Sequence, residues 1–320
     1  MRRLLIGLAA GTLFVTATAC GSTGSDGGDA GSGGTTTLKL GVIPIIDVAP
    51  LYLGEKKGFY SKRGLDLEPT LAQGGAAIVP GVVSGQFDFG FSNMTSLLVA
   101  SSKNVPVKAV VNGVASTGKA GADFAEIMVR KDSPIKTASD LEGRKVAANT
   151  LGNICDTSVN ESVRKDGGDP AEVEYVEMPF DQMPAALAKG QVDAACVVEP
   201  ALATIKSQGG TVLASNFVDV SPYLTVAMYF TSQQYAAKNP ETVKKFQEAT
   251  AESLAYADEH PDEVREIITT YTKIPQNLLE SVVLPNWPAE PDRASIERLA
   301  ELGQKDGLFE KAPDLDKLLP

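Results

Sequence analysis

Short runs rich in valine and isoleucine alternate with helix-spaced segments along this chain, and they do so in two separate series. The first series starts with LKLGVIPII (38–46) and a helical stretch (49–64) with Pro50 in its first turn. LDLEPTLA (65–72), a short helix (75–85), FDFGFSN (87–93), a helix (94–102) and VKAVVNGVA (107–115) follow. Strands that alternate with helices need crossover connections, and these build a parallel, doubly wound sheet with helices on its faces. AEIMVRKDSPI (125–135) reads as a strand leading away. A second series then places strands in KVAAN, AEVEYVEM and VDAACVVEP, with helices between them. YLTVAMYFTSQQYAAKNP (223–240) reads as a return strand and helix, and the remainder has helical spacing. The expected fold class is α/β: two lobes, each with a doubly wound, mostly parallel sheet, and a helical C-terminal tail. The expected limits are 37–132 for the first part of lobe 1, 133–218 for lobe 2, and 219–320 for the return to lobe 1 and the tail. Two crossings between lobes act as a hinge, and the facing carboxyl ends of the strands make a cleft.

The N-terminal segment has a different character. Arg2 and Arg3 precede an uncharged apolar run, Leu4 to Val15, and the small residues Ala17, Thr18 and Ala19 stand before Cys20. That layout is a secretory signal (1–19). The run is shorter than the roughly 20 apolar residues needed to cross a bilayer. From Gly21 to Thr36 the chain is nearly all Gly, Ser, Thr, Asp and Ala, so Cys20 and this stretch (20–36) read as an attachment point and a flexible tether. The formal net charge of −11 argues against nucleic acid or an anionic lipid surface as partner. Cys155 and Cys196 remain as an even pair in an oxidising compartment, where a disulfide and two buried thiols are both open readings. His260, in DEHPDE, is the one histidine. A single histidine in a turn supports neither a metal site nor histidine-based catalysis. There is no Ser/His/Asp set and no phosphate loop, so neither an enzyme nor a cofactor is expected.

GVIPIIDVAPLYLGEKKGFYSKRGLDLE, GGAAIVPGVVSGQFDFGFSN and EYVEMPFDQMPAALAKGQVDAACVVEPAL together resemble the extracytoplasmic solute-binding proteins of ABC importers. The similar branch is the one that takes sulfonates, nitrate, taurine and thiamine pyrimidines. The resemblance implies a two-lobed type II periplasmic-binding-protein fold, a monomer, capture of one small solute in the interlobe cleft, and delivery to a membrane permease. ATAC resembles a bacterial lipobox, with Ala17 where Leu is commonest, and implies lipidation at Cys20 and anchoring to the outer face of the cytoplasmic membrane. Some relatives in the thiamine-pyrimidine branch form the pyrimidine with an active-site histidine and a cysteine-rich motif, which this chain lacks. A lipid-anchored adhesion or sensory protein is the further alternative.

Loops at the strand ends are the candidate site. In PIIDVAP, Asp47, with Val48 and Ala49, either meets an amine on the solute or caps the helix near Pro50. In QGGAA, Gly74, Gly75 and Ala76 either leave backbone N–H groups open at a helix start for an anion or carbonyl oxygen, or form a plain turn. In FSNMTS, Asn93, Met94 and Thr95 follow a strand directly, and Asn93 or Thr95 either hydrogen-bonds the solute or caps the next helix. The second lobe offers Thr150, Gly152 and Asn153 in NTLGNICD, with Asp156 in the first helical turn, then Phe180 as a stacking face, and Glu199 before Pro200, which either meets the solute, the favoured reading, or complements the following helix. Asp181 reads as a cap and Trp287 as a packing residue. None of these loops carries Lys or Arg, while they hold Asp47, Asp156, Asp181 and Glu199. Burying an anion among carboxylates is costly. The expected solute is therefore an amine, a zwitterion or an aminopyrimidine-like heterocycle, with alkanesulfonate, taurine or nitrate as the alternative.

Overall fold

The computed structural model describes residues 34–320. The expected signal, Cys20 and most of the tether lie outside the described residues. Ten strands are present: β1 (Thr36–Val42), β2 (Leu65–Leu71), β3 (Phe89–Asn93), β4 (Val107–Ala115), β5 (Ala125–Val129), β6 (Lys145–Ala148), β7 (Glu174–Glu177), β8 (Ala194–Val198), β9 (Thr211–Ala214) and β10 (Thr225–Ser232). They form two five-stranded sheets, ordered β2-β1-β3-β10-β4 and β7-β6-β8-β5-β9. β3, β5, β8 and β10 are buried along their whole length. Continuous apolar runs of that kind belong in a sheet covered on both faces. β2 is an edge strand with one face exposed, which is where Pro69 can sit without breaking a ladder.

Each sheet is mixed rather than mostly parallel, for one reason. Within a lobe, helical crossovers make parallel pairs: β1 with β2 and β3, and β6 with β7 and β8. The strand that arrives from the other lobe has no crossover helix in its new sheet, and it runs antiparallel: β10 against β3 and β4, β5 against β8 and β9. β5 thus belongs to the second lobe. Its Ile127, Met128 and Val129 fill that lobe's core. The first crossing lies between Ala115 and Ala125, earlier than the expected 132/133 boundary.

The two crossings are tied to each other and to themselves. The Ser116 hydroxyl donates to Asp123 Oδ2 at 2.6 Å, and the Thr117 and Phe124 N–H groups donate to its Oδ1, both at 2.9 Å. The Asp123 N–H donates to Glu126 Oε1 at 3.1 Å. The Gly121 N–H donates to Ser215 Oγ, on the return crossing, at 2.7 Å. In lobe 1 the long helix Pro240–Glu259 packs on the helix Ala49–Lys56. Gly54 allows that approach, since a Cβ there would run into Ser253 Oγ. Phe246 of the long helix stacks on Phe89 at 4.1 Å between ring centroids. In lobe 2 a disulfide joins Cys155, near the start of the helix Ile154–Lys165, to Cys196 in β8. Among the described residues, no helix is long and apolar enough to cross a membrane.

Candidate functional site

β1 ends at Val42, and a single 3₁₀ turn, Ile46–Val48, carries the chain into the helix Ala49–Lys56. Asp47 lies in that turn. It is buried, and its Oδ1 has no hydrogen-bond partner. Its side chain caps neither the turn nor the helix. Burial, with the Asp123 charge adding to it, pushes the carboxyl up to about 7 against the pull of its own backbone N–H. Trp287 holds the loop in place by donating its Nε1–H to the Asp47 carbonyl at 3.2 Å.

Asp47 lines a small cavity of about 30 Å³ between the lobes. Phe91, Asn93, Asn149, Phe180 and Phe217 are among its other walls. Among the described residues, no Lys or Arg lines it, and neither Lys119 nor Arg130 reaches it. The cavity therefore sets one uncompensated carboxyl group among aromatic faces and two carboxamides. A second, larger groove of about 480 Å³ borders the same cleft and shares Ile43 and Phe180 with the inner cavity.

The remaining candidates sort by what their side chains touch. Asn93 faces the inner cavity and also caps the helix Met94–Ser102, accepting from the Ser96 N–H at 2.9 Å. Val48, Ala49 and Met94 point into the lobe 1 core instead, because the residues after a strand end turn with the helix they begin. Thr95 is wholly buried with an unpartnered hydroxyl and lines neither cavity. Gly75 packs against Ser92, where a Cβ has no room, and Ala76 is exposed. That helix start meets the other lobe rather than a cavity. A Cβ on Gly74 would lie 2.8 Å from both Asn149 Nδ2 and Thr150 Cγ2.

Across the cleft, Asn153 fixes Asn149, while Thr150 and Gly152 are bonded within the same loop. Asn153 caps the helix Ile154–Lys165 by accepting from the Cys155 N–H at 2.8 Å, and Asp156 reciprocates by accepting from the Asn153 N–H at 3.1 Å. Asn153 Nδ2 donates to Asn149 Oδ1 at 3.0 Å and to Thr150 Oγ1. Gly152 takes a positive φ of 64° and its N–H donates to Asp156, whose carboxyl burial pushes up to about 6. Asn149, so placed, clasps Gln73 of lobe 1. Gln73 Nε2 donates to the Asn149 carbonyl at 2.7 Å, and Asn149 Nδ2 donates to the Gln73 carbonyl at 3.3 Å.

Glu199 is placed away from both cavities. It is wholly buried, and both its oxygens are taken by backbone donors, Ala203 N–H at 2.9 Å and Val283 N–H at 3.1 Å. Its own carbonyl accepts from the Ile46 N–H at 3.1 Å. Burial pushes its carboxyl up to about 7. It ties lobe 2 to lobe 1 and to the tail, and faces no cavity. Asp181 does not cap; it pairs with Lys273 at 2.9 Å on the groove rim. The strand-end reading missed Asn149, one residue ahead of a residue it named. It also missed Tyr271 and Lys273, which come from the tail and carry no local signal.

The comparisons with known proteins agree with this architecture. The taurine-binding periplasmic protein of Escherichia coli is 26% identical over 230 residues, which is 72% of this chain and 67% of that protein. The ligand-binding component of an ABC-type import system from Staphylococcus aureus superposes with a TM-score of 0.76 at 18% identity, covering 89% of this chain and 96% of that one. The periplasmic nitrate-binding protein of Synechocystis superposes with a TM-score of 0.75 at 19% identity, covering 89% and 86%. The family model described as NMT1/THI5 like matches residues 45–264, from the Asp47 loop through both sheets to the tail helices, and the chain belongs to that family.

Proposed function

We propose that this chain is the extracytoplasmic solute-binding component of an ABC importer, and that its solute is a small amine or aminopyrimidine-like heterocycle. The observation that carries the solute class is Asp47, a buried carboxyl group with an unpartnered oxygen and no basic side chain in its cavity. A carboxylate held away from water is costly until something donates to it. An amine or amidine N–H supplies that donor. Asn93 and Asn149 add amide donors and acceptors, and Phe91, Phe180 and Phe217 offer ring faces to a flat heterocycle.

The inner cavity of about 30 Å³ is far below the roughly 300 Å³ at which ligand sites begin. That volume is measured with the Gln73–Asn149 clasp formed, so a bound solute needs the lobes further apart than they stand here. The closed form is then what a permease receives. The taurine and nitrate names of the relatives support the transport reading. The carboxyl group at the centre of this cleft supports a solute of opposite charge to nitrate. Export, anchoring through a lipidated Cys20 and a monomeric state complete the reading and rest on the sequence.

A thermal-shift panel of amines, aminopyrimidines, taurine, alkanesulfonates and nitrate tests the proposal. A solute at a hundred times its Kd adds about 2.7 kcal/mol to the native state, or several degrees in Tm for lobes of this size. Amines or aminopyrimidines are expected to raise Tm, with the shift lost in Asp47→Asn. A shift given by nitrate or an alkanesulfonate alone would sink the amine reading.

A further inference from the structure

The large groove has features of its own. It is about 480 Å³, within the range of small-molecule sites, and its walls include Ile43, Leu71, Phe180, Pro184 and Ile274. Leu71, at the end of β2, is 51% exposed and lines the groove. The charged groups at the rim are Asp181 and Lys273, which pair with each other at 2.9 Å and leave the groove without net charge. Ile43 and Phe180 wall both the groove and the inner cavity, so Phe180 stands where a chamber holding Asp47, Asn93 and Asn149 meets the groove.

We infer that the groove is a second subsite of the same cleft and that it takes the uncharged apolar tail of the solute. The inference rests on the amine reading of Asp47 and deepens it: the solute class is an amine or aminopyrimidine head carrying an aryl or alkyl tail. The head donates to Asp47 on one side of Phe180, and the tail lies along Ile43, Leu71 and Ile274 on the other. A wholly polar solute of the same head would leave the groove wet. An anionic tail would gain nothing from a rim whose lysine is already paired. The arrangement predicts selection by tail length as well as by head charge.

The test is isothermal titration of the full-length chain with the series benzylamine, 3-phenylpropylamine and 5-phenylpentylamine, with 4-aminopyrimidine as the tail-free head. Affinity is expected to rise about fourfold per added methylene, the gain of burying one CH₂. Ala185→Trp and Thr204→Trp fill the groove from two different helices, Met183–Ala188 and Ala201–Ser207. In each the dependence on tail length is expected to vanish, with an unchanged melting curve as the check on folding. In Asp47→Asn all probes should weaken by a common factor while the dependence on length stays. A series that is flat in the unmodified chain, with the short probes still binding, overturns the tail subsite and leaves the amine reading standing. A dependence on length that survives both tryptophan variants also overturns it. If none of the four probes binds, both readings fall.

Discussion

Asp47 sets the behaviour of the inner cavity by its proton. Its carboxyl is pushed up to about 7, so near neutral pH it is divided between the neutral and charged forms. A cationic amine binds the charged form, and below pH 7 it competes with a proton. Its affinity is therefore expected to fall about tenfold per pH unit below 7 and to level off above 8. Titrations between pH 5 and 9 measure this, and Asp47→Asn should remove the slope. Asn93 and Asn149 do not titrate, so they shape the cavity without adding to that dependence.

At the scale of elements, the cleft closes because two loop ends are small and complementary. Gly74 faces Asn149 and Thr150 with no room for a Cβ. Gly74→Ala is expected to displace the Asn149 and Thr150 side chains, loosening the contact between the lobes and weakening solute binding, read by titration and by the radius of gyration in solution scattering. An unchanged radius together with unchanged affinity would show that the approach is not needed for closure. In lobe 2, the Cys155–Cys196 disulfide closes a loop across a separation of 41 residues. Replacing both cysteines with alanine is expected to lower stability by about 2–4 kcal/mol, seen as a lower urea midpoint. Most elements were legible in the sequence, because runs such as FDFGF and CVV announce buried strands and Asn93 and Asn153 announce helix starts. Sheet membership was not: β5 looks like any apolar strand, and only its pairing with β8 and β9 assigns it to lobe 2. Nor was side-chain facing legible. Asp47 and Val48 are neighbours in one turn, yet one faces the cavity and the other the core. Glu199 has a partner, Val283, that lies 84 residues away, and no local pattern reveals it.

Across the whole molecule, three of the buried carboxyls lie where the lobes meet. Asp47 lies at the cleft, Glu126 at the first crossing and Glu199 at the tail contact, and burial pushes each up to about 7. Each binds a proton more tightly folded than unfolded. Stability from these groups is therefore full below the ordinary carboxylate range and declines as pH rises from about 4 to 7. Carboxyls held below their usual values, such as Glu252 beside Lys62 and Arg63, act in the opposite sense but only at lower pH. The protein is thus expected to have a higher Tm at pH 5.5 than at pH 7.5, read by calorimetry in matched ionic strength. A flat or rising profile over that interval would contradict the assignment.

The placement of β10 bears on the order in which the molecule assembles. Everything in the second sheet lies between Ala125 and Ala214, one uninterrupted stretch. The first sheet cannot be completed until β10 inserts between β3 and β4, and β10 is made only after the whole of lobe 2. A chain emerging from its N-terminus presents β1 to β4 early and must hold β4 apart from β3 while more than 100 residues follow. Lobe 2 is free to finish first, and lobe 1, which supplies Asp47, becomes whole last. The binding cleft is then the final feature to form, and a nascent chain holds no site for its solute until nearly the whole body has been made.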